Sequence, residues 1–184
     1  MDNRAVLLPP RFLSAVLAIG THRPDGTKSW IASGVLYARV TEAGRIRPVF
    51  VTNKHVIDGL RSAHVRINPE ADGPAVELNV VLQDNSGSPY WFPHPDPDVD
   101  IAVTPVDLDH LQTQGLDFAF FQPDTAIKLD QLRERRVSEG DDIYVLGFPL
   151  GITGDERSRV GPGSGLDLCT AAGQSSADGG GVEA

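Results

Sequence analysis

Short apolar runs separated by turn residues fill most of the chain. Many of these runs alternate with polar positions, as in half-buried β-strands. The runs cover 12–20, 29–40, 45–53, 63–69, 75–84 and 100–107. Their spacing, with Gly- and Pro-rich joins, predicts an all-β sandwich or barrel rather than alternating strands and helices.

Helical patterns are few, and the last part of the chain has no periodic pattern at all. The segments 107–114 and 127–136 each allow a few helical turns, and 141–151 returns to a strand that ends in Gly-Phe-Pro-Leu-Gly. From position 161 the chain is rich in Gly, Ala and Ser and has no aromatic residue. Too little apolar surface is present there to offset the entropy of ordering. We therefore expect a disordered tail at 161–184.

Composition narrows the classes of partner and compartment. The 184 residues carry a net charge of −9, and an acidic surface repels phosphate backbones and anionic lipid heads. We therefore expect neither a nucleic-acid nor a membrane partner. The single cysteine, Cys169, excludes an internal disulfide and fits a reducing compartment.

The N-terminal apolar run at 11–20 is the one candidate targeting signal. Arg4 and Arg11 precede its apolar core, but Asp2 and the pair Pro9-Pro10 fit a signal poorly and no clean cleavage site follows. We interpret the run as a first strand and expect a cytoplasmic protein, with a signal peptide at 1–20 as the open alternative.

Two strand ends carry the residues best suited to chemistry. His55 follows the apolar strand that ends near residue 53, and Asp100 opens the strand at 100–107. A carboxylate beside an imidazole fixes the tautomer of the ring and stabilises the imidazolium that forms when it takes a proton. Asp98 is the rival of Asp100, because positions two apart on a strand face the same side.

Four segments, in order, resemble the trypsin-like serine peptidases, most closely the bacterial HtrA-related members. They are SGVLY (33–37), FVTNKHVIDG (50–59), DVDIAV (98–103) and EGDDIYVLGFPLG (139–151). The resemblance implies a chymotrypsin-like double β-barrel, with a complete first barrel at 1–115 and an incomplete second barrel opening at 116–160. It also implies that His55 is the general base, that Asp100 orients it, that the substrate is a polypeptide, and that no cofactor is needed.

The nucleophile is where the chain departs from that family. The family carries its serine in Gly-Asn/Asp-Ser-Gly-Gly-Pro, and the nearest look-alike here is GPGSGL with Ser164, a weak candidate that lacks the second Gly and the Pro. We therefore expect a serine endopeptidase truncated or frame-shifted before its serine segment, and inactive as it stands. The alternative is a non-catalytic binding module of the same fold, with self-association through open barrel edges.

A metal site competes for the same acidic loop. The segment HPDPDVD (94–100) resembles the first half of a calcium loop. Ile101 stands where that loop needs Gly and Asp107 where it needs Glu, so we expect a solvated loop and no metal. The remaining histidines, His22, His64 and His110, have no partner at ligand spacing and are expected at the surface.

Overall fold

The computed structural model describes residues 9–138, 140–141 and 145–148, and strands dominate this part of the chain. The all-β class predicted from the sequence is confirmed. The helices are all short: α1 Pro10–Ser14, α2 Lys54–Ile57, α3 Leu108–Thr113 and α4 Gln131–Glu134. The strands are β1 Val16–His22, β2 Lys28–Val40, β3 Ile46–Thr52, β4 Ser62–Pro69, β5 Val76–Val81, β6 Phe92–Pro93, β7 Ala102–Pro105 and β8 Leu116–Asp117.

The strands form one antiparallel sheet with two ends. Its order is β5-β4-β1-β2-β3-β7-β6, and β8 pairs with β4 beside this path. An isolated bridge between Gln83 and Pro89 lies in the connection from β5 to β6, but the sheet is not closed, so the complete first barrel predicted from the sequence is not observed. β6 has only two residues, and Pro93 and Pro95 lack the N–H groups that would extend its ladder.

Strand β1, one of the inner strands of the sheet, is buried on both faces. Leu17 and Ile19 belong to the main core between the strands. Val16 and Ala18 point to the opposite face and pack with Phe148 in a second, smaller core. Because both faces are covered, the burial of β1 is continuous rather than alternating.

Gly34 allows β2 and β3 to approach closely. A Cβ at this position would lie 2.3 Å from Cζ of Phe50 and 2.9 Å from the carbonyl oxygen of Val51. Beside it, the hydroxyl of Thr52 donates to the carbonyl oxygen of Ser33 at 3.1 Å. The end of β3 is therefore anchored to the middle of β2.

The segment after β8 pairs with the edge of β2 through the backbone of Phe121. Phe121 donates to the carbonyl oxygen of Leu36 at 2.9 Å and accepts from the N–H of Ala38 at 2.9 Å. Farther along, the N–H of Phe148 donates to the hydroxyl of Ser33 at 2.6 Å. Two of the four segments that carry the family resemblance, 33–37 and 139–151, are thus in contact.

The main departure from the predicted elements is at the N-terminus of the sheet. The run 12–20 was predicted as one strand, but its first residues belong to α1, and β1 begins at Val16. Pro10 occupies the first helical position, where its fixed φ and missing N–H cost nothing. The tail at 161–184 lies outside the described residues, so its predicted disorder stays a prediction. In the described residues, no helix combines the length and hydropathy needed to cross a membrane.

Candidate active site

The end of β3 and the start of β7 meet at one edge of the sheet. Thr52, the last residue of β3, pairs with Ala102, the first residue of β7. Because the two strands are antiparallel, the residues just after β3 and just before β7 lie close together. His55 and Asp100 occupy these two positions.

His55 lies on a helical turn rather than on the strand end itself. α2 begins at Lys54, directly after Asn53, whose backbone is extended. Ile57, on the same turn, is 2% exposed and packs in the main core. This buried side chain fixes the short helix and therefore the direction in which the imidazole projects.

Asp100 contacts His55 twice. One carboxylate oxygen, Oδ1, accepts from the backbone N–H of His55 at 2.9 Å. The other, Oδ2, lies 2.5 Å from Nδ1 of the imidazole. An ionised carboxylate can only accept, so the geometry requires the proton on Nδ1 and leaves the lone pair of Nε2 for another partner. None of the described residues hydrogen-bonds that Nε2 atom.

Asn53 holds the carboxylate from a third direction. Its side-chain amide donates to the carbonyl oxygen of Asp100 at 3.1 Å and to Oδ2 at 3.2 Å. Sequence reasoning did not single out this residue, although its place between a strand and a helical turn, directly before the Lys-His pair, marks a position where a polar side chain bonds locally.

The hydrogen bonds to Asp100 keep its carboxyl group ionised. The backbone N–H of His55, followed by its side chain, lowers the pKa of Asp100 below the ordinary 3.8. Exposure works against any larger effect, since the Asp100 side chain is 46% exposed and the His55 side chain 72%. The pair is therefore a solvent-facing dyad with a fixed tautomer.

The choice between Asp98 and Asp100 follows from local structure. Neither residue belongs to a strand, because β7 begins only at Ala102. The N–H of Asp98 donates to a side-chain oxygen of Asp96 at 3.0 Å in a turn. The structure brings Asp100 to His55 and leaves Asp98 in that turn.

The remaining sequence-predicted residues are not part of this dyad. Ser164 lies outside the described residues. The acidic loop at 94–100 is occupied by local turns, and among the described residues no group of three or more His, Cys, Asp or Glu side chains is placed to hold a metal. Two of the surface histidines, which were given no partner, in fact contact each other: Nε2 of His64 lies 2.9 Å from Nδ1 of His22.

A shallow cleft of about 340 Å³ adjoins the dyad. It is lined by the middle of β2, by the end of β3 and by Leu146. Asn53 and Ile101, the neighbours of the two dyad residues, line one side of it, and Ser33 and Leu146 line the other. The cleft thus lies beside the dyad, next in sequence to Asp100 through Ile101 and close to His55 through Asn53.

No protein-family model, curated protein or solved structure matches this chain.

Proposed function

We propose that His55 and Asp100 are the general base and the orienting acid of a trypsin-like serine endopeptidase, in a fold whose first sheet stays open. The observation that carries the proposal is the double contact of Asp100 with His55. This contact keeps the ring proton on Nδ1 and leaves the lone pair of Nε2 free to accept a proton. The order of the four resembling segments supports the same reading.

In the proposed mechanism, Nε2 of His55 takes the proton of a serine hydroxyl as the oxygen attacks a peptide carbonyl. The electron pair of the carbonyl moves onto its oxygen, and the resulting imidazolium is stabilised by Asp100. The imidazolium then gives its proton to the leaving amine, and water releases the acyl group by the same steps in reverse order. Asn53 contributes by keeping the carboxylate in place.

The serine itself is the missing part of this proposal. The 184 residues contain no Gly-Asn/Asp-Ser-Gly-Gly-Pro segment, and the oxyanion hole of the family comes from the backbone of that segment. A chain that lacks both the serine and the oxyanion hole lacks the groups that give most of the acceleration of peptide hydrolysis. We therefore expect this chain to be inactive on its own, with the gene beyond codon 159 encoding a Gly-x-Ser-Gly-Gly segment in one of its three frames.

A serine-directed fluorophosphonate probe tests the catalytic half of the proposal. The expected result is no labelling of this chain, and labelling of a product extended by the frame that encodes the serine segment. His55→Ala should abolish the labelling of the extended product, while His110→Ala, a histidine outside the site, should leave it unchanged. Labelling of this chain at Ser164, or an extended product labelled equally with and without His55, contradicts the proposal.

A second candidate function, a non-catalytic binding module, is favoured by the ends of the sheet. Three side chains near these ends are each more than half exposed: Val81 at the end of β5, Tyr90 before β6, and Phe92 in β6. Unpaired strand edges with apolar side chains invite pairing with another chain. On this reading the protein self-associates, which sedimentation over a range of concentrations measures, and Phe92→Ser reduces the association. A monomer at all concentrations removes this candidate.

A further inference from the structure

The opening in the sheet leads into an apolar cavity. Its volume is about 210 Å³, and it lies between β5, the end of β7 and α3. The interior is lined by side chains of the main core: Leu17, Leu36, Phe50, Val65, Ile67 and Leu111. The cavity opens to solvent, so these core side chains present apolar surface that close packing would normally cover.

The mouth of the cavity is polar on one side. Leu78 and Val80 of β5 lie on one side, and the polar residues Asp107 and His110, at the start of α3, lie on the other. Asp107 caps α3 by accepting from the N–H of His110 at 3.0 Å through Oδ1. Its second oxygen is not used in that bond, so the mouth offers a carboxylate acceptor to a donor group of a ligand.

The cavity is separate from the candidate active site. Asp100 precedes β7, whereas Thr104 and the residues that follow it line the cavity. The two features therefore lie at opposite ends of the same strand. What the cavity binds is independent of whether His55 serves a peptidase.

We propose that this cavity binds a small aromatic molecule, between benzene and indole in size, with its ring inside and a hydrogen-bond donor at the mouth. An apolar cavity of roughly 150 Å³ stays dry and binds benzene. The present cavity is larger, which allows a second ring, and its lining is mainly apolar. In this arrangement the ring of the ligand packs between β5 and β7, two strands that are not joined by backbone hydrogen bonds.

Calorimetric titration with indole and with benzene, combined with thermal unfolding, tests the proposal. Both probes should bind saturably and raise the unfolding temperature, and their addition should shift the methyl NMR signals of Leu78 and Leu111. Indole should bind more tightly than benzene, and Asp107→Ala should reduce that preference, by the share due to the indole N–H, while benzene binding persists. Absence of saturable binding by both probes, or methyl shifts confined to other parts of the protein, overturns the proposal.

Strand β5 supplies a matched pair of variants. Val80 lines the cavity and packs against the main core, whereas its neighbour Val81 is 54% exposed on the opposite face. Val80→Phe fills the void and should weaken both probes by about tenfold or more, while Val81→Phe leaves binding unchanged. Should Val80→Phe fail to fold, Val106→Phe fills the cavity from β7's side. Equal binding by a folded cavity-filling variant and by Val81→Phe contradicts the assignment.

Discussion

Two histidine pairs lie on this sheet, and they differ in the chemistry of the partner. His55 contacts a carboxylate, that of Asp100, through Nδ1. His64 on β4 contacts another imidazole, that of His22 at the end of β1, with the two rings edge-to-face and their centroids 4.4 Å apart. Both pairs join segments that are more than 40 residues apart in sequence.

The partner decides what each histidine can do with a proton. A carboxylate stabilises an imidazolium, so His55 can accept a proton at Nε2 without losing its contact. The pKa of His64 is lowered below the ordinary 6.5. Burial is the largest cause, and the charges of His22 and Lys28 follow. Proximity of ring nitrogens alone therefore does not favour the protonated form, and only the first pair has a carboxylate that stabilises an imidazolium.

Asp100→Asn should have the largest effect, because it converts the first pair into a neutral one. The backbone N–H of His55 still needs an acceptor and takes the amide oxygen, which turns the NH₂ group toward the ring. That group donates to Nδ1, so the proton moves to Nε2 and the base is lost. Nitrogen-15 NMR of the imidazole reads the tautomer, and in the extended peptidase the rate should fall by about 10⁴-fold.

Asp98→Asn is the matched control for this change. It removes the same charge two residues away, from a side chain that does not contact His55. The tautomer of His55 should be unchanged. An identical spectrum for the two variants would mean that the contact between Asp100 and His55 is not formed in solution.

Gly34→Ala should have the next largest effect, through the scaffold under the first pair. The new methyl group collides with the buried ring of Phe50 and with a backbone oxygen of β3. Overpacking of this kind costs about 1–3 kcal/mol in the free energy of unfolding. Urea denaturation measures it.

Gly20→Ala sharpens the comparison from the side of the second pair. Gly20 pairs with His64, and its added Cβ would meet Cε3 of the half-buried Trp30 at 2.7 Å. The nearest backbone atom, the carbonyl oxygen of Ser29, is at 3.1 Å, and both contacts are longer than those at Gly34, so the loss of stability should be smaller than for Gly34→Ala. An equal or larger loss would contradict the rigid anchoring of β3 on β2.

Asn53→Ala should have a more moderate effect, confined to the first pair. It removes two hydrogen bonds to Asp100, and a typical bond contributes about 0.5–1.5 kcal/mol. We expect a stability loss near the lower end, because water replaces the amide at an exposed site, together with broader NMR signals of the His55 ring. Asn79→Ala, an exposed asparagine of β5, serves as the control and should leave those signals sharp.

The smallest expected effect is on the pH dependence of stability, where the two pairs should act in different pH ranges. The pKa of His64 in the folded protein lies below 6.5, so as the pH falls below 6.5 the unfolded chain takes the proton first and stability declines. His64→Gln should flatten this decline. The pKa of folded Asp100 lies below 3.8, so its contribution is complete above that pH and is lost as the pH falls through the folded value.

The two windows are checked by thermal unfolding of the wild type and the two variants from pH 8 to pH 2. The change of unfolding temperature with pH should differ between His64→Gln and wild type just below pH 6.5. For Asp100→Asn, this change should differ from wild type only near and below pH 3.8. If the unfolding temperature of His64→Gln runs parallel to that of wild type at every pH, a group other than His64 causes the decline below pH 6.5.

Much of the sheet is readable from the sequence because alternation is a local property. β2 was predicted at 29–40 and is observed at Lys28–Val40, and α3 was predicted at 107–114 and is observed at Leu108–Thr113. Two features escaped this reasoning. The five residues of α1 are too few to display a helical period, and two-residue strands such as β6 are too short to show any alternation.

For the candidate site, the sequence predicted which residues lie next to strands, but not which of them meet in space. The positions of His55 and Asp100 beside apolar runs indicated strand ends, but the period-two argument could not separate Asp98 from Asp100. A period of two holds only within a strand, and neither residue belongs to one. The contact of His22 with His64 depends on β1 lying beside β4, which is a property of the whole sheet and leaves no mark in either local segment.

The pairing of β3 with β7 also has a kinetic consequence. His55 and Asp100 are 45 residues apart, and the intervening chain must form β4, β5 and β6 before or while their strands meet. Contacts that close long loops form slowly, since the entropy of closure is lost before the contact stabilises anything. The dyad should therefore appear late in folding, and a chain cut in the connection between β5 and β6 should keep its histidine while losing the tether that returns the carboxylate to it.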